Sequence, residues 1–526
     1  MADLENKAKA TRKNNGFLSG VFVLTLSAVI VKIIGLIYKI PMLRLLGSEG
    51  MGYFNSAYEI YALFCTVSTA GLPVAMSVLI SSSRALGDGM TDKIFKVSLK
   101  LFLVLGIVGS AAMLIFAMPI SEFLKSYKAV LCIVAISPTV LFICISSAYR
   151  GYFQGLEKML PTAVSQVIEA LGKLILGLIF AYIALESGFE TQAIAAFAVL
   201  GLTVGTAISM LYLILAKSFA KDADKELVMS TGESKGILAS LMRIAVPVTL
   251  SSATISITKL IDMTTILRRL QSIGFSSSEA FSLYGNYTTL GLPLFSLAPA
   301  LISSVALPLV PSLSSAVTKG DEKEACSVVE KAVRLTAIIS MPISLGLVFF
   351  PREILSLLFF GEGEAIAVST PLLACLGLSV CLSSLITVGN AILQAYSRAT
   401  IPIVSMGIGA AVKIVLAYFL IGIPQINIMG APISTFFCDM VINAINFYYI
   451  GKESKNRISV VGRFAKTYIS AFAAVGTAKL FFILLQEHVG ERVLTLASIG
   501  LAALIYVAVS FLSGAIKKED LNLAVK

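Results

Sequence analysis

The chain has 526 residues, of which 57% are hydrophobic and 13% charged, and its mean hydropathy is +0.91. A soluble domain could not solvate such a surface, so composition excludes a soluble globular protein and leaves a multi-pass membrane protein. The net charge of +11 calls for no nucleic acid, because its distribution follows membrane topology.

Apolar runs of roughly 20 residues recur along the whole length, each enough to cross a hydrocarbon core of about 30 Å as a helix. The roughly ten-residue alternating segments of a β-barrel are absent. The first run, 17–40, follows a polar, basic leader. It is too long for a signal-peptide core and lacks a small-residue cleavage site, so it is expected to remain as span 1. Spans 2 to 6 are predicted at 53–80, 97–118, 128–149, 161–185 and 192–215. A mixed-charge linker, 216–236, then leads to spans 7 to 12 at 237–265, 281–307, 328–350, 365–389, 401–421 and 430–450. Spans 13 and 14, at 462–485 and 493–514, complete fourteen. The expected architecture is all-α: an N-terminal lobe (1–215), a cytoplasmic linker (216–236), a C-terminal lobe (237–450), and a final helix pair with a cytoplasmic tail (451–526).

Charge sets the orientation, since short loops rich in Lys and Arg stay in the cytoplasm. With both termini inside, 28 of the 41 Lys and Arg residues fall in cytoplasmic segments or the span turns next to them, seven on the other side and six deeper within spans. That bias supports both the span count and a plasma-membrane topology with cytoplasmic termini.

The two lobes resemble each other. In YRGYFQGLEKMLPTAVSQVIEALGK (149–173), Gln154, Pro161 and Lys173 return as Gln394, Pro402 and Lys413, at offsets of 240, 241 and 240. GLPVAMSVLISS at 71–82 is echoed by GLPLFSLAPALISS at 291–304. Six spans precede the linker, so the repeat is parallel, with a cavity expected between the halves. Pro73 and Pro293 free backbone groups at equivalent places and are expected to act as paired hinges.

An ionisable side chain inside a span costs at least about 2.5 to 3.5 kcal/mol and is a functional candidate by default. Span 1 carries Lys32 and Lys39 two turns apart on one face, with Arg44 beyond its end. Span 2 carries Glu59 among Tyr53, Tyr58 and Tyr61. Span 7, the repeat mate of span 1, carries Lys259 and Asp262, followed by Arg268 and Arg269. A lining of this kind favours a pyrophosphate or carboxylate over a cationic drug. The structural alternatives are snorkelling for Lys32, Lys39, Arg44, Arg268 and Arg269, and self-neutralising pairs for Lys259 with Asp262 and Glu169 with Lys173. Gly409 stands where the second half would need an acid beside Lys413. Lys479 reads as a bundle contact or a snorkelling residue, and Asp439 as a hydrogen-bonded acid or a coupling site for a proton or sodium ion. Arg150 to Pro161 is expected in a cytoplasmic turn that serves as the first lobe's hinge, with Glu169 and Lys173 as its anchor.

The seven cysteines carry no CxxC or metal-ligand spacing, and the one histidine, His488, cannot anchor a histidine metal site. No Walker loop or serine nucleophile motif occurs. No enzyme activity, metal or cofactor is therefore expected. An inside-negative membrane potential alone drives an anion outward at about 2.3 kcal/mol per charge per 100 mV.

IGLIYKIPMLRLLGSEGMGYF (34–54), GLPVAMS (71–77), YRGYFQG with MLPTAVSQVIE (149–169), LPLVPSLSSAVTKGD (307–321) and the closing IKKED (516–520) together resemble one family. It is the stage V sporulation protein B branch of the polysaccharide and lipid II flippases, beside the MurJ-type flippases in the multidrug/oligosaccharidyl-lipid/polysaccharide exporter superfamily. The resemblance implies two six-helix lobes, a final pair forming a lipid-tail groove, and alternating access for undecaprenyl-pyrophosphate-linked saccharides, lipid II among them. It further implies that Lys32, Lys39 and Arg44 match basic positions of the first helix and Asp262 an acidic position of the seventh. Where Gram-negative MurJ-type proteins have an arginine pair in the second helix, this chain has Cys65 and Thr66, and Tyr287 replaces an arginine of the eighth. The expectation is a monomeric flippase associating with cell-wall synthesis proteins. It draws on Na+, H+ or the membrane potential and serves peptidoglycan assembly, cell shape or sporulation. A multidrug/cation antiporter and a non-transporting envelope scaffold are the alternatives.

Overall fold

In the computed structural model the described residues are 2–86, 89–219, 231–454 and 460–514, and every regular element among them is helical. In chain order these are α1 (Ala2–Thr69), α2 (Leu72–Leu86), α3 (Thr91–Ile115), α4 (Ala117–Phe123), α5 (Val130–Gly155) and α6 (Leu160–Glu186). Then come α7 (Thr191–Phe219), α8 (Thr231–Ser272), α9 (Ser277–Asn286), α10 (Leu292–Phe295), α11 (Leu297–Thr318) and α12 (Glu322–Phe349). The last six are α13 (Pro351–Leu358), α14 (Gly363–Ala395), α15 (Thr400–Ile421), α16 (Gly430–Glu453), α17 (Val460–Leu485) and α18 (Glu491–Leu512).

Eleven helical segments among the described residues are long and apolar enough to cross a membrane. One of them, Leu26–Arg84, holds both span 1 and span 2. The loop expected at 41–52 does not exist. Helix continues to Gly47, which alone leaves helical geometry at φ 65°, ψ 179° and bends the chain in a region that only glycine enters cheaply. Spans 7 and 8 correspond to α8 and to the α9–α11 run, so the fourteen predicted crossings all have a helix. Apolar residues that point outward, such as Val104, Val108 and Ile115 of α3 at 57%, 59% and 71% exposure, make the lipid-facing surface.

Three details differ from expectation. The predicted linker is shorter, because α7 extends to Phe219 and α8 starts at Thr231; residues 220–230 lie outside the described part, as does the tail from 515 with IKKED. Two short helices, α4 and α13, precede spans 4 and 10 at equivalent points of the repeat. Arg150 is not in a turn but inside α5, which runs on to Gly155.

The chain forms two compact units: Met1–Thr264 with Ser277–Gly285, and Thr265–Ser276 with Asn286–Lys526. In the first, Gly71 separates α1 from α2, and its backbone N–H donates to Thr249 Oγ1 of α8 at 3.2 Å. A Cβ there would stand 2.1 Å from the Ala245 carbonyl oxygen, so only glycine allows this approach. In the second, α17 lays Ala471, Ala474 and Ala478 against a cluster containing Ala337, Met341 and Leu345 of α12. Without water to drive helices together, such small residues set how closely they pack.

The same unit explains Lys479, which is a contact between helices of the bundle. Its Nζ is 2.5 Å from Glu353 Oε1 of α13, under the rings of Phe350 and Phe482 at 4.8 and 5.5 Å. Glu353 is only 8% exposed, so removing the lysine leaves a carboxylate stranded. Breaking such a buried pair from one side costs about 3 to 5 kcal/mol. Lys479→Met is therefore expected to lower the melting midpoint in detergent, read by thiol-reactive dye labelling of the free cysteines. The double variant with Glu353→Leu is expected to recover most of the loss; a single variant as stable as wild type would refute the pairing.

Candidate functional site

Five charged residues of the first unit, Lys39 and Glu59 of α1, Arg150 of α5 and Glu169 and Lys173 of α6, lie within range of one another. Because α1 runs on to the Gly47 bend, Lys39 sits in continuous helix about 12 Å before that bend, at 1.5 Å per residue. It is half-buried and lies within range of the charges of Lys173 and Glu59. Lys173 is the central residue of the 27-residue α6. Its Nζ stands over three aromatic rings, Tyr38 at 5.0 Å, Phe54 at 5.3 Å and Tyr58 at 4.7 Å. Ring faces carry negative quadrupole charge, and each such contact is worth about 0.5 to 2 kcal/mol depending on desolvation.

Glu169 and Lys173 do not form the pair that their i, i+4 spacing suggests. Arg150 Nη2 takes Glu169 Oε2 at 2.8 Å, its Nε donates to Ser165 Oγ at 2.9 Å, and Nη2 also reaches Ser209 Oγ at 3.4 Å. A guanidinium satisfies a carboxylate with directed donors and reaches across from α5, whereas the neighbouring lysine on α6 has rings to turn to. The other half repeats this junction without charge. At 240 residues on, Arg150 becomes Asn390, Ser165 becomes Ser405 and Glu169 becomes Gly409. There, Asn446 Nδ2 donates to Asn390 Oδ1 at 2.9 Å, and Ser405 Oγ donates to Asn446 Oδ1 at 2.7 Å. The acid and its guanidinium partner are thus lost together, and a neutral hydrogen-bonded junction of α14, α15 and α16 takes their place.

The remaining predicted residues scatter. Lys32 is exposed and makes no ion pair or hydrogen bond among the described residues. Lys259 is likewise exposed and does not pair with Asp262, so the self-neutralising pair is not formed. Asp262 is half-buried on α8, and Arg268 is exposed four residues beyond the end of the first unit. Arg44 borders an apolar groove of about 420 Å³ between α1 and α6, lined by Pro41, Leu45, Leu178, Ile179 and Tyr182. The position of Thr66, an arginine in the Gram-negative flippases, instead holds a neutral contact, Thr66 Oγ1 to Ser256 Oγ at 2.9 Å. In the second unit, Ser383 Oγ donates to Asp439, which also lies within range of Lys413. Pro73 opens α2 just after the Gly71 break. Pro293 follows a π-helical turn, Tyr287–Gly291, so both GLP motifs mark interrupted helices.

Sequence reasoning missed Tyr38 and Phe54 as the surroundings of Lys173. Spacing within one helix cannot reveal rings supplied by another, although the density of aromatics between 38 and 61 was the available signal.

A family model described as polysaccharide biosynthesis protein matches residues 17–317, and a MatE model matches 287–419. Stage V sporulation protein B of Bacillus subtilis (strain 168) is 28% identical over 519 residues, covering 96% of this chain and 97% of that protein. The lipid II flippase MurJ of the same organism is 26% identical over 432 residues, covering 79% of this chain and 78% of that one. Among solved structures, the lipid II flippase MurJ in an inward closed conformation aligns at a TM-score of 0.70 and 15% identity. That alignment covers 93% of this chain and 98% of the other. An inward-facing MATE multidrug resistance transporter aligns at 0.63 and 16% identity, covering 83% and 99%.

Proposed function

The chain belongs to the polysaccharide biosynthesis protein family, and from that membership we propose that it is a flippase for an undecaprenyl-pyrophosphate-linked saccharide. Lipid II is the foremost candidate, in keeping with the named activity of one relative. The observation that carries the reading is the cluster of Lys39, Lys173, Arg150, Glu59 and Glu169, three cations against two acids, inside the helices of the first unit. A pyrophosphate cannot cross hydrocarbon unaided, and surplus cations replace the water it gives up.

In this reading the protein works by alternating access in the plasma membrane, as a monomer with both termini in the cytoplasm and in contact with envelope-synthesis proteins. Within the first unit Lys39, Lys32, Arg44, Glu59, Asp262 and Lys259 serve the headgroup path, the groove beside Arg44 takes an apolar chain and Pro73 acts as a hinge; in the second unit Arg268 is a further headgroup cation and Pro293 a hinge. Asp439 with Lys413 is the coupling candidate for Na+ or H+, and the membrane potential supplies the remaining drive.

A cation or drug antiporter is the second reading, favoured by the MatE match and the acid at 439. One experiment separates them. Proteoliposomes are loaded with a fluorescent lipid II analogue, and outer-leaflet exposure is followed under an imposed potential. Potential-dependent exposure is the expected result; no exposure, with uptake of a cationic dye against a sodium or proton gradient, would establish the antiporter instead.

A further inference from the structure

We propose that Lys173 is a phosphate-binding residue of this site, its ammonium moving from the rings of Tyr38, Phe54 and Tyr58 onto the pyrophosphate of the lipid headgroup. The inference rests on the reading above that an anionic lipid is the cargo, and it names a residue that the sequence assigned to structural anchoring.

Four observations lead there. Lys173 sits at the centre of α6, where water is scarce, yet none of the described residues accepts a hydrogen bond from its ammonium or pairs with it as an ion. It is held only by ring faces, which attract a cation without satisfying its three N–H donors. The acid one turn away is withdrawn, because Glu169 is engaged at 2.8 Å by Arg150, which Ser165 and Ser209 hold in place. The charge of Glu169 therefore acts on Lys173 from a distance and leaves it open to an acceptor.

The second cation, Lys39, lies near enough for the two ammonium groups to repel each other, with Glu59 as the acid acting on Lys39. A pyrophosphate carries two charged groups and meets both lysines; a single phosphate engages them less completely. The other half supplies the contrast. Lys413, the repeat mate of Lys173, has the carboxylate of Asp439 within range. Of two equivalent lysines, one is matched with an acid of its own lobe and the other is kept on groups that release it readily.

The test uses the full chain in nanodiscs of zwitterionic phosphatidylcholine, titrated with undecaprenyl pyrophosphate, undecaprenyl phosphate and undecaprenol. Wild type is expected to prefer the pyrophosphate. Lys173→Met is expected to weaken pyrophosphate binding about tenfold, with undecaprenol binding unchanged and the lipid-free melting midpoint kept by the thioether packing on the same rings, and Lys173→Arg to restore pyrophosphate binding. If Lys173→Met binds the pyrophosphate as wild type does, the inference fails while the flippase reading stands. If Lys173→Met lowers the midpoint and weakens all three ligands alike, Lys173 is structural and the inference also fails. If wild type binds undecaprenol as tightly as the pyrophosphate, the anionic-cargo reading fails and takes the inference with it.

Discussion

Reversing one charge, Lys39→Glu, is expected to cut lipid II exposure in proteoliposomes by two to three orders of magnitude while leaving the protein monodisperse. Two unit charges about 8 Å apart at an effective dielectric constant of about 20 interact by about 2 kcal/mol. Reversal changes that term by about 4 kcal/mol, close to a thousandfold in affinity. The substitution also sets a second acid beside Glu59, so the cluster's surplus changes from cationic to anionic. Lys39→Arg keeps the charge and is expected to retain most of the flux. Lys32→Glu is the sharper comparison: Lys32 was grouped with Lys39 by its heptad spacing, but it is exposed and no described residue pairs with it. Its reversal is expected to reduce flux only a few-fold. Equal losses at 32 and 39 would mean that the site extends along the whole face of α1, and an unaffected Lys39→Glu would remove the site from α1 altogether.

The contrast between Lys32 and Lys39 shows what the sequence can and cannot carry. Hydropathy found a helix for each predicted span, because length and solvation act residue by residue and need no knowledge of neighbours. The repeat was legible for a similar reason, since Gln154, Pro161 and Lys173 return at a near-constant offset. Side-chain partners were not legible. Spacing along α6 proposed Lys173 for Glu169, yet Arg150 won from another helix, and rings from α1 took the lysine. The Gly47 bend was hidden because a single glycine at positive φ replaces a loop without altering the composition around it. Aligning the halves at 240 shows Arg150 and Glu169 replaced together, by Asn390 and Gly409, which is what a contacting pair does when its charge is abandoned. The Glu353–Lys479 pair has no such mate, and only the fold brings α13 to α17.

Gly201→Leu is expected to abolish monodisperse protein, or to lower its melting midpoint by the equivalent of about 3 kcal/mol or more, the upper range for overpacking. The position of Lys173 depends on how α6 lies against α7, and that contact is backbone on backbone. A Cβ at Gly201 would stand 2.2 Å from Gly177 N and 2.3 Å from its Cα. One turn on, a Cβ at Gly205 would meet Gly172 Cα and Lys173 N at 2.9 Å, and one at Gly172 would meet Gly205 Cα at 2.5 Å. No flexible side chain is present to give way, and carbon atoms pack comfortably only at about 3.5 to 4.0 Å, so the helices must part by more than 1 Å. Parting them draws Ser209 of α7 away from Arg150 and shifts Lys173 from its rings, so any protein that still folds is expected to lose transport as well. Gly407 of α15 is the control. It is exposed with nothing within 4 Å of its would-be Cβ, and Gly407→Leu removes a helix-interior glycine. That change is expected to be neutral or stabilising by up to about 1 kcal/mol. Equal behaviour of the two variants in thermal unfolding would show that the α6–α7 contact does not set the geometry of the site.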